Sequence, residues 1–455
     1  MIFCNKRPQN NPLFSKELKS HSSAITEILK GLSTLFGCVY LANNGHPIIG
    51  FLPESYCINS CDVYHVFLRD KDMKYKKINF TGSFHDYVLL TPSSQPQNHA
   101  SFEGGYIGFI DYNYAANLHI KAEKKSQPNA FIGCYKTFLE NVNNQWIFKS
   151  YEDNASDIYN FLEKIINQEF RPNFKIDTHC ASSWKKTEYE KAFDQVQDYI
   201  KAGDCYQINL TQEFSAKAKG DLIDTAEDFW KLTNAPYAGY LKLDDFELLS
   251  CSPELFIDFE PNRKIITKPI KGTMPRYEDI LKDEASKQAL QNSVKDQAEN
   301  VMIVDLLRND LSVFAEIGSV KTPKLFNIES FNQVHHMVSE IEATLKPEVN
   351  PLDVLLHSLP GGSITGAPKI RAMEIIEELE VAPRGAYCGS MGYFNFDGTG
   401  SWNILIRSIQ KYQDDVSIWA GGGITIASDC DAEYQECFDK VSAMLDLLNT
   451  WHKPE

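Results

Sequence analysis

Short runs of β-branched and aromatic residues recur along the chain between Gly, Pro and Asn residues, and this pattern limits the possible folds more than any other feature. The first part of the chain contains CVYLA, PIIGFL and YVLLTP. The last part contains GYFNFDG, SWNILIRSIQ and SIWAGGGITIA, followed by a predicted closing helix at 432–450. Runs of this kind, bounded by turn residues, predict β-strands. Helical segments occur among them without regular βαβ alternation, so we predict an α+β fold.

A polar, turn-rich stretch at 171–186 divides the chain into two predicted domains. It lies between the helical pattern DIYNFLEKIINQEF and a second helical pattern at 189–202. Domain boundaries commonly fall in polar segments of this kind, because few contacts cross them. We therefore predict an N-terminal domain over 1–170 and a second domain over 186–450.

Charge and cysteine content exclude several classes of protein. The formal net charge is −16 over 455 residues, without a basic block, which argues against nucleic acid or an anionic membrane as the partner. The 11 cysteines are scattered without a Cys-x-x-Cys pair, so neither a disulfide framework nor a zinc cluster is predicted. The segment MIFCNKRPQN lacks the apolar core of a signal peptide, and no apolar run approaches the roughly 20 residues that span a bilayer. We predict a cytoplasmic protein.

Acidic residues at helical spacing form a candidate metal site. Glu433, Glu436 and Lys440 are spaced i, i+3 and i+7, so they share one helix face. Glu299 lies in a second predicted helix, 284–311, where it borders an apolar stripe. The stripe consists of Leu290, Val294, Ala298, Val301 and Met302. Mg²⁺ takes few protein carboxylates and completes its shell with other oxygens, although a solvated helix face is the commoner explanation of such residues taken alone.

Glycines, hydroxyl groups and one arginine form a candidate anion site. Ser363 and Thr365 precede the helical pattern of GAPKIRAMEIIEELE, whose first N–H groups could bind an anion. Gly422 and Gly423 end a predicted strand, although tight turns explain most glycine runs. Arg407 lies in a predicted strand, where it is either a bidentate partner for a carboxylate or a residue on a solvated face.

Ten motifs in a fixed order over about 186–448 resemble the chorismate-utilising enzymes, which include anthranilate, aminodeoxychorismate, isochorismate and salicylate synthases. The motifs are GDCYQINLTQEF, SPELF, PIKGTMPR, KDQAENVMIVDLLRNDL, VHHMVS, PGGSITGAPKIRAMEIIEELE, RGAYCGSMGY, NILIRS, GGGIT and EYQECFDK. The resemblance implies two interleaved mixed or antiparallel β-sheets that form a sandwich flanked by helices. It also implies chorismate as the substrate and Mg²⁺ as the cofactor.

Two positions distinguish the members of this family. Lys271, the fourth residue of KPIKGT, resembles the aminodeoxychorismate synthases, whereas anthranilate synthases usually have Ala there. Gln207 of YQINL stands where isochorismate-type enzymes have the Lys that activates water. The resemblance therefore implies that ammonia replaces the C4 hydroxyl of chorismate and gives 4-amino-4-deoxychorismate. An anthranilate synthase and a catalytically silent chorismate-binding subunit are the alternatives.

The resemblance also implies a covalent mechanism. Lys271 attacks C2 of the ring while Glu254 of SPELF donates a proton to the departing hydroxyl, and ammonia then displaces the lysine. Lys271 must be neutral and Glu254 protonated, so each group needs a shifted pKa. The implied metal ligands are Glu299, Glu436 and, through water, Glu433. The implied substrate-binding residues are Gln207, Thr273, His336, Ser363, Thr365, Tyr387, Arg407, Gly422, Gly423 and Lys440.

The role of His336 and the source of ammonia are not decided by the motifs alone. His336 of VHHMVS is alternatively a core histidine held by hydrogen bonds. No cysteine stands in a Gly-x-Cys-x-Gly elbow of the amidotransferase type, so the source of ammonia has no motif here. We therefore predict a separate glutamine amidotransferase subunit that forms a heterodimer with this chain and delivers ammonia.

Overall fold

The computed structural model describes residues 12–19, 24–91, 101–331 and 334–453. Within these ranges the chain forms twelve α-helices and twenty-five β-strands. The helices are α1 (Ile25–Leu32), α2 (Phe84–Tyr87), α3 (Tyr112–Ala116), α4 (Ala155–Ile166), α5 (Lys186–Ala202), α6 (Ala226–Thr233), α7 (Ile280–Gln291), α8 (Val294–Ser312), α9 (Pro351–Ser358), α10 (Lys369–Leu379), α11 (Cys430–Asp439) and α12 (Ser442–Asn449). The strands are β1 (Phe14–Glu17), β2 (Cys38–Leu41), β3 (Ile48–Gly50), β4 (Ser55–Ser60), β5 (Val63–Arg69), β6 (Tyr75–Ile78), β7 (Gly105–Ile110), β8 (Ala130–Tyr135), β9 (Thr137–Val142), β10 (Gln145–Ser150), β11 (Lys175–Ile176), β12 (Ala181–Ser182), β13 (Gln207–Lys219), β14 (Tyr237–Lys242), β15 (Phe246–Ser252), β16 (Leu255–Phe259), β17 (Lys264–Thr267), β18 (Ile270–Pro275), β19 (Lys321–Ser330), β20 (Val334–Thr344), β21 (Gly366–Ala367), β22 (Ser390–Asn395), β23 (Gly400–Asn403), β24 (Ser408–Tyr412) and β25 (Asp415–Ile424).

These strands form two large sheets, and each strand pairing within the described ranges is antiparallel. Sheet A has the order β1-β10-β9-β3-β2-β14-β15-β24-β25-β13-β11, and β12 and β21 also pair with β13. Sheet B has the order β18-β20-β17-β16-β23-β22-β7-β8-β4-β5-β6, and β19 also pairs with β20. The predicted α+β fold with two antiparallel sheets flanked by helices is confirmed.

Apolar side chains fill the space between the two sheets. Val39 and Leu248 of sheet A share one buried cluster with Ile107 and Phe131 of sheet B. A second cluster lies between sheet A and helices α1, α4, α6 and α12, and a third lies mainly between sheet B and helices α8, α9 and α10. Burial of these aliphatic and aromatic groups is the main favourable term in folding. The layers therefore hold the strand ends, where the polar motifs lie, in fixed positions.

Both sheets contain strands from each side of the predicted boundary at 171–186. In sheet A, β2 pairs with β14, and Tyr40 lies opposite Tyr240. In sheet B, β7 pairs with β22, and Gly108 lies opposite Gly392. The two predicted parts of the chain thus share both sheets, instead of each having a sheet of its own.

The helix predicted over 284–311 is interrupted, and its apolar stripe differs from the prediction. Ser293 caps α8, because its hydroxyl accepts a hydrogen bond from the backbone N–H of Asp296. Helix α8 packs on β18 and β20 through a different face from the predicted one, so Val294 is 79% exposed and Val301 is 40% exposed. The predicted stripe is therefore wrong at Val294, Ala298 and Val301, whereas Met302 packs against the core. The buried residues of α8 are Asn300, Ile303, Val304, Leu307 and Leu311.

The predicted closing helix at 432–450 consists of α11 and α12, which are separated by Lys440 and Val441. Helix α11 packs on β25, whereas α12 buries Met444 and Leu448 in the cluster beneath sheet A. Glu433 and Glu436 of α11 lie against Gly422, close to the end of β25. No helix among the described residues combines the length and the apolar character needed to cross a bilayer.

Candidate active site

A cavity of about 450 Å³ lies where α8 and α11 meet strands of both sheets. Its volume falls within the usual range for small-molecule sites. All but three of the predicted site residues line this cavity. The predicted residues that line the cavity are Glu254, Lys271, Thr273, Glu299, His336, Ser363, Tyr387, Arg407, Gly423, Glu433, Glu436 and Lys440. The structure therefore brings together residues that are up to 186 positions apart in the chain, from Glu254 to Lys440.

The position of Lys271 depends on the glycine that follows it in β18. Gly272 has a φ of +90°, and a Cβ there would lie 2.9 Å from Leu290 Cδ1 and 3.0 Å from Asp296 Cβ. Only glycine combines this backbone conformation with so close an approach. The strand can therefore lie directly against the start of α8, which places Lys271 in the cavity wall.

The Lys271 ammonium lies in an environment that favours its neutral form. Burial lowers the pKa of Lys271, the nearby Glu299 carboxylate opposes this change, and the Lys440 ammonium reinforces it. Desolvation penalises the charged form of any amine, so the balance of these effects raises the fraction of free amine. A lysine with a lowered pKa in a cavity is suited to act as a nucleophile.

Glu254 lies in the connection between β15 and β16, and its environment favours the protonated form. The residue is 6% exposed. Burial raises the pKa of Glu254 to about 7, although the Lys271 ammonium and the N–H of Ile270 act in the opposite direction. A carboxyl group with this pKa can hold a proton near neutral pH and donate it to a leaving group. Burial thus favours the neutral form of both side chains: the free amine of Lys271 and the protonated carboxyl group of Glu254.

His336 is a buried, neutral residue of the cavity wall. Its Nδ1 lies 2.9 Å from the hydroxyl of Thr273 on the neighbouring strand β18. Burial lowers the pKa of His336 to about 4, and the Arg407 guanidinium contributes in the same direction. Its neighbour His335 instead contacts Ser330 and Asp283. Only His336 of the two therefore faces the cavity.

Arg407 is not in a strand, contrary to the prediction from SWNILIRSIQ. That segment forms two strands in different sheets, β23 in sheet B and β24 in sheet A. The chain crosses from one sheet to the other at 404–407, and Arg407 has a φ of +50° at the end of this crossing. Because the crossing borders the cavity, the guanidinium lines it. A charged, planar donor at this position is suited to binding a carboxylate.

Two carboxylates of α11 converge above Gly422. A Cβ on Gly422 would lie 2.8 Å from Glu433 Oε2 and 3.2 Å from Glu436 Oε1. The Lys440 ammonium donates to Glu436 Oε1 at 2.6 Å and to the Gly421 carbonyl at 2.8 Å. Burial raises the pKa of Glu433. The helical spacing of these residues thus does place them at one site, as predicted.

The donor set at this site fits a hard cation such as Mg²⁺. Glu299 on α8 faces the same cavity as Glu433 and Glu436. Among the residues described, no group of three or more carboxylate, thiol or imidazole side chains is arranged so that it could hold a metal ion by itself. Mg²⁺ is usually held by one or two carboxylates, with water and substrate oxygens as the other ligands. The paired carboxylates of α11 therefore suit it, and Mg²⁺ stays a prediction.

Three predicted residues lie just outside the cavity wall. Gln207 is fully buried, and a Cβ on Gly423 would lie 2.3 Å from its Nε2, so Gln207 lies directly behind Gly423. Thr365 donates its hydroxyl hydrogen to the Gly361 carbonyl at 2.9 Å. Gly422 is covered by the α11 carboxylates. Their assignment to substrate binding stays a prediction.

Sequence reasoning missed four polar or aromatic residues of the wall. They are Asn209, Lys295, Asp296 and Trp419. Asp296 could have been found, because it precedes Glu299 by three positions, which is also the spacing of Glu433 and Glu436. Asn209 and Trp419 could not, since they meet the cavity through the pairing of β13 with β25. Trp419 stacks on Tyr387 with ring centroids 6.0 Å apart and an interplanar angle of 17°.

Comparison with known proteins gives one consistent result. The profile of the chorismate binding enzyme family matches residues 65–446. The aminodeoxychorismate synthase component 1 of Salmonella typhimurium is 42% identical over 360 residues, which cover 78% of this chain and 79% of the relative. The protein of that name from Escherichia coli K12 is 41% identical over 356 residues, which cover 76% of this chain and 77% of the relative.

A solved structure shows the same architecture. The anthranilate synthase component I of Streptococcus pneumoniae superposes with a TM-score of 0.74 at 25% sequence identity, over 88% of this chain and 91% of that chain. The family match covers most of the sequence and includes the segments that form the cavity wall. The chain therefore belongs to the chorismate binding enzyme family.

Proposed function

We propose that the chain is the chorismate-aminating subunit of an aminodeoxychorismate synthase and converts chorismate and ammonia to 4-amino-4-deoxychorismate. The observation that carries this proposal is that Lys271 and Glu254 lie in one cavity wall, where burial favours a free amine and a protonated carboxyl group. The relatives that are 41–42% identical over about three quarters of the chain support the same reaction.

The reaction proceeds in two displacements. The Lys271 amine bonds to C2 of the ring, the ring electrons shift, and the C4 hydroxyl leaves as water with the proton of Glu254. The proton released by the lysine nitrogen returns to Glu254. Ammonia then bonds to C4, the electrons shift back and the bond from C2 to Lys271 breaks. The proton shed by the incoming ammonia passes through Glu254 to the departing amine, so one difficult displacement becomes two easier ones.

The remaining residues of the wall bind and orient the substrate. Arg407 and Lys440 supply positive charge for the two carboxylates of chorismate, and the Tyr387 and Ser363 hydroxyls supply hydrogen bonds. The N–H of Gly423 provides a further donor. His336, held by Thr273, presents a neutral imidazole beside the ring. Glu299 and Glu436 directly, and Glu433 through water, would hold Mg²⁺, which when bound supplies Lewis-acid polarisation of the ring carboxylate.

The partner is a glutamine amidotransferase subunit that supplies ammonia. The relatives are named component 1, and this chain has no amidotransferase cysteine motif. Free ammonia is the minor species at neutral pH, so direct delivery from a bound subunit increases its local concentration. We propose a heterodimer of the two subunits. The cytoplasmic location stays a prediction from the sequence.

The products formed by the purified chain test this function. With chorismate, Mg²⁺ and ammonium salt, we expect 4-amino-4-deoxychorismate as the product, detected by liquid chromatography and mass spectrometry. An anthranilate synthase, the activity named for the similar structure from S. pneumoniae, would instead give anthranilate fluorescence without a second enzyme. Appearance of that fluorescence, or the absence of any turnover, would contradict the proposal.

Substitution of Glu299 tests the metal site separately from catalysis. We expect Glu299→Gln to weaken binding of Mg²⁺ or Mn²⁺ by about tenfold or more, because one anionic oxygen donor becomes a neutral amide. Titration calorimetry, or electron paramagnetic resonance of Mn²⁺, measures this affinity without turnover. Glu348→Gln is the matched control, since Glu348 is exposed and lies outside the cavity wall. Equal affinities in the two variants would remove Glu299 from the metal site.

A further inference from the structure

A buried arginine lies behind the cavity without touching it. Arg384 follows α10 and precedes β22, and its side chain is 1% exposed. Its guanidinium uses four N–H bonds within the protein. Two go to the Glu380 carboxylate, from Nε at 2.8 Å and from Nη2 at 2.7 Å. Such a bidentate pair fixes both distance and orientation.

The other two bonds reach backbone atoms of residues that form the cavity wall. Arg384 Nη1 donates to the Ile364 carbonyl at 2.9 Å, and Nη2 donates to the Asn209 carbonyl at 2.7 Å. Ile364 and Asn209 both line the cavity. One guanidinium thus ties the turn at 362–364 to strand β13. The amide of Asn209 also donates to the Ile364 carbonyl at 3.1 Å, so the two segments meet at a single acceptor.

The same guanidinium packs on the aromatic part of the wall. Its central carbon lies 4.6 Å from the ring centroid of Tyr112 and 5.9 Å from that of Tyr387. Tyr387 lines the cavity and also stacks on Trp419. Cation–π contacts of this kind are stronger when the cation is removed from water. Arg384 therefore restricts the position of the Tyr387 ring as well as that of the backbone.

Glu380 extends this network to a second residue of β13. Its Oε1 accepts hydrogen bonds from the backbone N–H of Thr211 at 3.0 Å and from the Thr211 hydroxyl at 2.7 Å. Glu380 and Arg384 together form a buried, neutral pair between the end of α10 and β13. Buried ion pairs contribute little net stability compared with apolar residues of the same volume. The placement of this pair against the wall points to a role in geometry.

We propose that Arg384, together with Glu380, is a positioning residue for substrate binding. The pair holds the turn that carries Ser363, strand β13 and the Tyr387 ring at fixed distances from one another. Without the planar fork, the Asn209 bonds to Ile364 and Thr365 would still join the turn to β13, but the two segments would lose the shared contact that fixes them relative to the Tyr387 ring. The inference rests on the proposed function only in taking chorismate as the ligand, and turnover by the unmodified chain tests that function separately.

Arg384→Lys keeps the charge but cannot reproduce four bonds in one plane. We expect kcat/KM for chorismate to fall on the order of 10²-fold, as a shift of about 1 Å in a binding wall can cause, with KM rising and kcat falling together. Glu380→Gln is expected to change the same two constants in the same direction. The measurement is steady-state kinetics per folded molecule, with Tm and circular dichroism recorded for each variant.

Glu247→Gln is the matched control. Glu247 is also buried and paired with a cation, Lys242 at 3.2 Å, and it accepts from the Tyr240 hydroxyl at 2.7 Å, but it lies outside the cavity wall. We expect this variant to lose thermal stability while retaining its KM. If Arg384→Lys and Glu380→Gln lower Tm as Glu247→Gln does but keep the KM and kcat of the unmodified chain, the pair is structural only and the proposal fails.

Discussion

Lys271→Ala is expected to lower the rate of 4-amino-4-deoxychorismate formation by about 10³-fold or more, because the variant has no amine to form the covalent intermediate. The unmodified chain, incubated with chorismate and Mg²⁺ but without ammonia, should accumulate an adduct on Lys271. Intact-protein mass spectrometry followed by peptide mapping locates it. The same experiment with Lys271→Ala should show the unmodified protein mass only.

Lys268→Ala is the matched control for this prediction. Lys268 lies three residues before Lys271, but its ammonium is 3.5 Å from the Glu340 carboxylate and outside the cavity wall. We expect this variant to form the adduct and to keep its turnover. Normal turnover by Lys271→Ala, or an adduct on another residue, would show that the amine of Lys271 is not the nucleophile.

Glu254→Gln is expected to lower kcat by about 10²- to 10⁴-fold, the usual contribution of a positioned general acid. The glutamine occupies a similar volume but cannot donate a proton to the C4 hydroxyl. The pH dependence provides a second test. Burial raises the pKa of Glu254 to about 7, so the protonated acid is present below this pH and is lost as the pH rises through it. Because the fraction of free ammonia rises with pH, the rate is measured at a constant concentration of free ammonia. Under that condition, the loss of protonated Glu254 should lower the rate of the unmodified chain above about pH 7.

The residual rate of Glu254→Gln should lack this alkaline decline. Asp258→Asn is the matched control, because burial also raises the pKa of Asp258, to about 6, although this residue lies outside the cavity wall. We expect it to keep both the rate and the decline above pH 7. If the alkaline decline in rate persists in Glu254→Gln, a group other than Glu254 causes it.

Local patterns predicted the fold class, and helical spacing together with the motif resemblance predicted most of the polar side chains of the cavity wall. Alternation and turn residues identify strands, and the spacing of Glu433 and Glu436 places them on one helix face. The motif resemblance supplied Lys271, Glu254 and His336, which the structure places in one cavity. Spacing alone could also have identified Asp296.

Other features depend on long-range pairing, which local patterns do not contain. SWNILIRSIQ reads as one strand, but its two ends belong to different sheets, and only the pairing partners show that Arg407 ends a crossing. The cap at Ser293 interrupts a segment with continuous helix propensity, and the buried face of α8 is determined by its packing on β18 and β20. The spacing of Glu380 and Arg384 could have suggested their ion pair, but not the role of Arg384 in the wall, since that depends on carbonyl groups that are 20 and 175 residues away.

The sharing of both sheets between the two ends of the chain has a consequence for any attempt to shorten it. A fragment without the first ten strands would expose β14 and β22 as unpaired sheet edges, since their partners β2 and β7 would be missing. Open edges of apolar strands are templates for aggregation. The N-terminal strands are therefore needed even where they lie far from the cavity, because without them the exposed edges of β14 and β22 would pair with other molecules.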